Sequence, residues 1–178
     1  MVQGRNSVDQ RQRATRRRGT LDNLCYTPPK SATQARSMFT FGKQSKQRLL
    51  GIHPNLVHVV ERALELSPVD FMVVEGFRTL ARQQELYAQG RTTPGKIVTW
   101  TMKSKHLTGS AVDIAPVDAS GTILWGDVQA FDQMAAAMFA AAKELDIAIR
   151  HGGDWDGDGN LRERGESDSP HFELVEAT

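Results

Sequence analysis

The fold of this chain is decided by the stretch Ser104-Lys105-His106-Leu107-Thr108-Gly109-Ser110-Ala111-Val112-Asp113 and its counterpart near the C-terminus, Asp168-Ser169-Pro170-His171. Together they supply two histidines and two carboxylates, and two histidines with one carboxylate and an open fourth position are a common catalytic zinc set. The spacing from His106 to Asp113 excludes neighbouring turns of one metal-binding helix. It fits a loop residue and a strand residue joined by a tight turn, for which Gly109 supplies the backbone freedom. Taken alone, this spacing favours a simpler interpretation, a surface histidine and a strand-end aspartate.

Asp168 and His171 strengthen the hypothesis of a metal-dependent hydrolase. Pro170 fixes the backbone before His171, which begins an apolar strand and can therefore aim its imidazole inward. Asp168 is close enough to stand beside the metal without binding it, where it could take a proton from metal-bound water and pass it to the leaving amine. Arg78, at the end of a buried strand, could hold the developing oxyanion or a substrate carboxylate. An arginine that faces solvent at a helix start fits the sequence equally well.

A second metal-binding pattern lies in Asp154-Trp155-Asp156-Gly157-Asp158-Gly159-Asn160-Leu161-Arg162-Glu163. Oxygen-bearing side chains at positions 1, 3, 5, 7 and 10, with glycine at position 6, match the start of an EF-hand-like calcium loop. The pattern departs at position 12, which is Gly165, so that Glu163 or Glu166 would have to close the loop. We favour calcium over a plain acidic loop. The predicted ligands are Asp154, Asp156, Asp158, Asn160 and Glu163. Calcium would order the loop that leads to the 168–171 segment, so activity is expected to be calcium-sensitive.

Composition indicates one ordinary soluble domain, with 178 residues of which 39% are hydrophobic and 24% charged. The net charge of +1 hides an asymmetry, because residues 1–37 hold eight Lys or Arg and two acidic residues. We therefore expect a basic, disordered N-terminal extension, 1–37, and a catalytic domain, 38–178. The extension is interpreted as a solvated tail, or as a segment upstream of a start at Met38, rather than a contact for phosphate-bearing partners. It has almost no aromatic residues for base stacking, so no nucleic-acid partner is expected.

The sequence argues against a membrane protein, a protein with a secretory signal and a scaffold built on cysteines. No apolar run is long enough for a membrane span, and no apolar segment follows the basic N-terminus as in a secretory signal. The single cysteine, Cys25, leaves no intramolecular disulfide and no cysteine-rich zinc site.

The pattern of apolar residues predicts an α+β fold with a mainly antiparallel sheet and flanking helices. Helical spacing predicts helices over 54–67, 80–89 and 127–145. Short β-branched or alternating segments predict strands at 70–77, 97–100, 111–115, 122–125, 147–150 and 171–175. Pro54 is expected at the first position of the first helix, and Thr79 as the cap of the second.

The motifs in combination resemble a known enzyme family. The pattern Ser104-x-His106-x-x-Gly109-x-Ala111-x-Asp113, joined to Asp168-x-Pro170-His171, is similar to the zinc peptidases that include D-Ala-D-Ala carboxypeptidases and phage endolysins. The closer resemblance is to the L-alanyl-D-glutamate endopeptidase endolysins of tailed phages. It spans about Met38 to Val175. Its further similar segments are Glu75–Thr79, Gln83–Arg91, Pro94–Thr99 and His151–Trp155.

This resemblance implies a D-Ala-D-Ala peptidase or hedgehog-like fold and a set of roles. It implies zinc on His106, Asp113 and His171. It implies Asp168 as the catalytic acid and base, Arg78 as a substrate or transition-state contact, and Ser104 as a substrate-binding residue. The carboxypeptidase relatives usually carry glutamate at the position of Asp168, so the aspartate favours the endopeptidase branch, in which calcium loops at this place also occur.

The resulting hypothesis is an endolysin that hydrolyses the L-Ala–D-Glu bond of peptidoglycan stem peptides through zinc-activated water, for host lysis. Lys96, Lys103 and Lys105 either attract the acidic stem peptide or are solvated loop charges. The alternatives are a D,D- or L,D-carboxypeptidase of the same fold and a zinc-stabilised, non-catalytic wall-binding domain. With no signal peptide and no repeat-type wall-binding module visible, we expect a monomer made in the host cytoplasm, which reaches the cell wall in the periplasm after a holin opens the membrane.

Overall fold

The computed structural model describes residues 39–163 and 165–175. Their helices are α1 (Lys43–Arg48), α2 (Pro54–Leu66), α3 (Leu80–Ala88) and α4 (Val128–Glu144), with a 3₁₀ turn at Lys105–Thr108. Their strands are β1 (Phe71–Glu75), β2 (Ala111–Pro116), β3 (Ile149–Gly152) and β4 (Asp168–Leu174). The predicted α+β class is confirmed. The predicted disordered extension lies outside the described residues.

The four strands form one sheet in the order β1-β2-β4-β3, and each neighbouring pair is antiparallel. The register places Glu75 opposite Asp113, and Asp113 opposite His171. Three polar residues that are far apart in sequence therefore lie in one row across three adjacent strands. The register also pairs Arg150 of β3 with Glu173 of β4.

Helices α2 and α4 pack against each other and cover one face of the sheet. Phe172 of β4 is fully buried and contacts Phe139 of α4 edge-on, with ring centroids 6.3 Å apart. Because side chains alternate across a strand, His171 and Glu173 project from the opposite face. The sheet thus separates an apolar core on its helical side from a polar site on its other side.

The helix starts follow the sequence predictions. Pro54 is the first residue of α2, and His53 caps that helix by accepting a hydrogen bond from Asn55 N. Thr79 Oγ1 caps α3 by accepting from Arg82 N at 3.2 Å. In the described ranges, every helix is too short or too polar to span a bilayer.

Two predictions of local structure are wrong, and one helix was missed. Residues 97–100 form no strand but an extended loop, and the predicted strand at 122–125 is reduced to one isolated bridge between Val117 and Ile123. Helix α1 was not expected, because its six residues are too few to show a helical apolar period. It contacts β1, where Ser45 Oγ accepts a hydrogen bond from Val73 N.

Candidate metal centre and substrate cleft

His106, Asp113 and His171 converge on one point. His106 lies in the 3₁₀ turn, Asp113 on β2 and His171 on β4. Asp113 Oδ1 is 3.2 Å from His106 Nε2 and 3.1 Å from His171 Nδ1, and the two ring nitrogens are 3.3 Å apart. Both imidazoles are buried. The structure therefore brings together the three residues for which the sequence predicted a shared metal.

The outer partners of the two histidines show that this cluster fits a metal ion. His106 Nδ1 is 2.8 Å from the carbonyl oxygen of Gly76, and His171 Nε2 is 3.2 Å from Glu173 Oε2. Since a carbonyl and a carboxylate can only accept, these outer nitrogens carry protons, and the inner nitrogens are left to present lone pairs to a metal or to take up a further proton. Two imidazole lone pairs and a carboxylate oxygen then face one another. A divalent cation satisfies all three acceptors at once, and this donor set is one that metals such as zinc use.

The pKa shifts of Asp113 and His171 show that the cluster of His106, Asp113 and His171 stabilises a positive charge. Burial alone would raise the pKa of Asp113, but its hydrogen bonds with His106 and His171 hold that pKa well below its usual range. Burial alone would lower the pKa of His171, yet its hydrogen bonds with Asp113 and Glu173 raise it to about 9. A proton is thus strongly held where a metal would bind, and metal and proton compete for the same electron pairs.

Asp168 stands at the start of β4, on the wall of the cleft that contains this cluster. Although the residue is exposed through the open cleft, the surrounding protein raises the pKa of its carboxyl, and the negative charge of Asp113 adds to the shift. The backbone here is tightly packed, since a Cβ atom at Gly152 would lie 2.4 Å from the Asp168 carbonyl oxygen. Gly152 is therefore required for the close approach of β3 to the start of β4.

Arg78 is buried, so the alternative of an arginine that faces solvent is wrong. Its Nε donates to Glu75 Oε1 at 2.9 Å, and its Nη2 bonds the other carboxylate oxygen of Glu75. Its Nη1 donates to Gln83 Oε1 at 2.8 Å, and Nη2 lies 3.9 Å from Asp113 Oδ2. The guanidinium is therefore fixed beside the cluster of His106, Asp113 and His171. Three of its five N–H groups are used in these bonds, which leaves two for a ligand in the cleft.

An open cleft of about 730 Å³ surrounds these groups. Lys103, Ser104 and Lys105 line it, whereas Lys96 is not among its lining residues. Ser104 Oγ also accepts a hydrogen bond from His106 N at 3.4 Å, so it caps the turn that carries His106. Loop 97–101 forms one wall of the cleft, and Trp155 with Arg150 lies on another.

The acidic loop is a compact turn that brings three aspartates together. Ligand oxygens of Asp154, Asp156 and Asp158 lie within 4.8 Å of one another. Asp154, which is buried, accepts from the backbone N–H groups of Asp158 and Gly159, both at 3.1 Å. Asn160 is exposed, and its backbone N–H donates to Asp158 Oδ1.

Glu163 and Glu166, the two acids that could close the loop, both lie close to its aspartate segment. Glu166 is buried and accepts from the backbone N–H groups of Trp155 and Asp156 at 2.8 and 3.2 Å. Burial raises the pKa of Glu163, and the negative charges of Asp158 and Asp156 add to the shift. A cation bound at this place would relieve the repulsion between the crowded carboxylates.

Sequence reasoning assigned no role to four residues of the site. Glu75, Gln83 and Glu173 orient Arg78 and His171, and the Trp155 ring contacts the His171 ring with centroids 5.4 Å apart. The position of Glu173 two residues after His171, on the same strand face, was a usable pattern. The contribution of Glu75 depends on the β1–β2 register, which no local pattern reveals.

Fold and site together define an α+β protein with a candidate metal centre, whose ligand types are those used by metal-dependent hydrolases. The family model described as phage L-alanyl-D-glutamate peptidase matches residues 37–175. The chain belongs to the phage L-alanyl-D-glutamate peptidase family, which confirms the resemblance seen in the sequence.

Individual relatives agree with this assignment. The L-alanyl-D-glutamate peptidase of Escherichia phage T5 is 42% identical over 140 residues, which are 77% of this chain and 98% of that protein. The peptidoglycan L-alanyl-D-glutamate endopeptidase CwlK of Bacillus subtilis is 35% identical over 60% of this chain and 62% of its own length. Among solved structures, the L-Ala D-Glu endopeptidase ChiX of Serratia marcescens is similar, with a TM-score of 0.61 and 36% identity. That similarity covers 76% of this chain and 90% of ChiX.

Proposed function

We propose that this protein is a zinc endopeptidase that hydrolyses the L-Ala–D-Glu bond of peptidoglycan stem peptides. The observation that carries the proposal is the convergence of His106 Nε2, Asp113 Oδ1 and His171 Nδ1, three acceptors within 3.3 Å of one another. The family to which the chain belongs and the named activities of its relatives support the substrate.

Different residues of the chain carry out different parts of the proposed reaction. Zinc held by His106, Asp113 and His171 would polarise the scissile carbonyl and bring the pKa of a water molecule towards roughly 7. Asp168 accepts a proton from the attacking water as the new C–O bond forms, and it returns that proton to the amine nitrogen as the C–N bond breaks. Arg78 directs its remaining N–H groups at the carbonyl oxygen as negative charge develops there.

Digestion of purified peptidoglycan followed by mass analysis tests the activity. A new N-terminal D-Glu is the expected product, whereas release of free D-alanine would indicate a carboxypeptidase and absence of any product a wall-binding domain. An Asp168→Ala variant should keep its metal and lose activity by about 100-fold or more. Full activity in a metal-loaded Asp168→Ala protein would remove the mechanism.

We also propose that the loop of Asp154, Asp156, Asp158, Asn160 and Glu163 binds calcium and that calcium supports activity. The three aspartates of the loop are clustered, and the Trp155 ring contacts the ring of His171, a proposed zinc ligand. Calcium-selective chelation with zinc retained should lower activity, and a calcium titration followed by Trp fluorescence should show binding. Unchanged activity and fluorescence would exclude the calcium site.

The wider biological setting belongs to the same proposal. We propose a monomeric endolysin whose peptidase domain spans 38–178, after a basic N-terminal extension of residues 1–37. Its synthesis would take place in the host cytoplasm, and a holin would give it access to the cell wall. Analytical ultracentrifugation tests the monomer, and lysis assays with and without membrane permeabilisation test the need for release.

A further inference from the structure

Trp100 stands out on the wall of the cleft. It is the most exposed large apolar side chain of the described residues, with 80% of its surface accessible. Val98, which is 54% exposed, and Ile97 line the same cleft. An apolar wall kept in water at the rim of an active-site cleft is the usual signature of a binding surface.

The loop that carries Trp100 is fixed on both sides. Arg91 donates to Thr99 O at 3.1 Å and to Tyr87 O at 2.7 Å, and its guanidinium lies 5.5 Å from the Trp100 ring centroid. Gln83, which is fully buried, donates to Thr101 O at 2.6 Å and to Thr99 Oγ1 at 3.2 Å. The backbone that carries the indole is therefore already ordered, which lowers the entropic cost of binding a ligand.

We propose that Trp100 is a platform for the sugar ring of the N-acetylmuramyl residue that carries the stem peptide. The inference rests on the proposed function. Stem peptides offer methyl groups, carboxylates and amines, none of which matches a flat apolar face as large as an indole. The nitrogen of L-Ala, however, is joined through a lactyl group to the muramyl sugar, so a sugar ring lies next to the scissile bond. The C–H face of a pyranose stacks on the electron-rich face of an indole.

Two substrates that differ only in the sugar test this platform. One is an N-acetylmuramyl-L-Ala-D-Glu peptide, and the other is the same peptide with only the lactyl group on L-Ala. We expect the wild-type enzyme to favour the muramyl peptide about ten-fold in kcat/KM through a lower KM, equivalent to about 1.4 kcal/mol. Trp100→Ala should abolish this preference, and Trp100→Phe should keep part of it.

Trp125→Ala is the matched control, because Trp125 is 59% exposed but does not line the cleft. It should retain the full preference for the sugar. If Trp100→Ala keeps the preference, or if wild-type enzyme cleaves both substrates equally at L-Ala–D-Glu, the platform is overturned while the proposed function stands. If neither substrate is cleaved at that bond, the proposed function fails and takes the platform with it.

Discussion

Glu173 is a single buried carboxylate that is placed to tune the proposed metal centre. It is 5% exposed, it bonds Arg150 on one side, and its Oε2 is 3.2 Å from His171 Nε2 on the other. Outer partners of this kind fix the ring and raise its basicity, and their loss lowers metal affinity by about 10- to 100-fold. We expect that loss in Glu173→Ala, measured by zinc competition with a chromogenic chelator.

Two variants make this measurement specific. Glu173→Gln should lose less affinity, because its amide oxygen can still accept from His171. Glu144→Ala, which removes an exposed carboxylate of α4, should lose none. Equal zinc affinity in wild-type protein and Glu173→Ala would show that His171 needs no outer partner.

His151 is expected to make the stability of the protein depend on pH. Its Nε2 donates to Ser169 O at 2.8 Å, while its buried Nδ1 has no hydrogen-bond partner among the described residues. Burial lowers the pKa of His151, against that hydrogen bond, which raises it. The unfolded chain keeps the ordinary pKa of about 6.5 and so binds more protons as the pH falls below that value. The free energy of unfolding therefore decreases as the pH falls through about 6.5.

A His151→Gln variant tests this assignment, because Gln can still donate to Ser169 O but does not titrate. Urea unfolding at about pH 7.5 and about pH 5, with chelator present, should show a smaller loss of stability in the variant than in the wild-type protein. Titrating groups that do not interact with His151 cancel in this comparison. Equal losses would show that His151 does not titrate in this range.

The turn between the 3₁₀ segment and β2 depends on Gly109. Its φ is +70°, and a Cβ atom there would lie 2.2 Å from the carbonyl oxygen of Gly51. Its own carbonyl accepts from His53 N at 2.8 Å, which ties the turn to the start of α2. Gly109→Ala therefore combines backbone strain of about 1–3 kcal/mol with a clash against backbone, and it should displace His106.

Gly121→Ala separates these two effects. Gly121 has a φ of +82°, but nothing lies within 4 Å of the position of its Cβ. We expect urea denaturation to show a larger loss of stability in Gly109→Ala than in Gly121→Ala, and zinc affinity to fall only in Gly109→Ala. Equal effects of the two substitutions would mean that the contact with Gly51 is easily relieved.

At the level of helices, strands and turns, the sequence predicted the elements that depend on regular apolar spacing or on adjacent residues. The apolar positions of α2 and α4, the Thr79 cap and the turn at Gly109 were all predicted, because each depends on near neighbours in the chain. Residues 97–100 have the β-branched composition of a strand, but strand formation needs a pairing edge, which composition does not reveal. In the structure they form the cleft wall instead.

The residues of the candidate site likewise fall into those that the sequence could predict and those that it could not. Motif spacing and family resemblance indicated His106, Asp113 and His171, and the sheet register places two of them side by side. Burial of Arg78 and its bonds to Glu75 and Gln83 could not be predicted, because they depend on how β1, α3 and loop 97–101 meet. Roles that need a three-dimensional neighbour were missed, while roles set by residue type and spacing were found.

For the molecule as a whole, the metal centre joins segments that are distant in the sequence. Its ligands come from the 3₁₀ turn, β2 and β4, and the outer partners of the two histidines are the carbonyl of Gly76, directly after β1, and Glu173 of β4. Glu173 is held in turn by Arg150 of β3. A metal that binds only the folded arrangement stabilises it by about 2.7 kcal/mol at 100 times the dissociation constant. For a domain of this size, that corresponds to a rise in Tm of about 5–10 °C.

We therefore expect zinc added to chelator-treated protein to raise its Tm by several degrees, measured by differential scanning calorimetry. His171→Ala should lose this rise, because it removes one of the three ligands. His58→Ala, which removes an exposed histidine of α2, should keep it and so exclude general binding of zinc to surface histidines. A Tm that does not respond to zinc in the wild-type protein would mean that the three acceptors meet for a reason other than metal binding. The strongly held proton on His171 would then be shared with Asp113 of β2 and with His106 of the 3₁₀ turn, and it would hold that turn against the sheet.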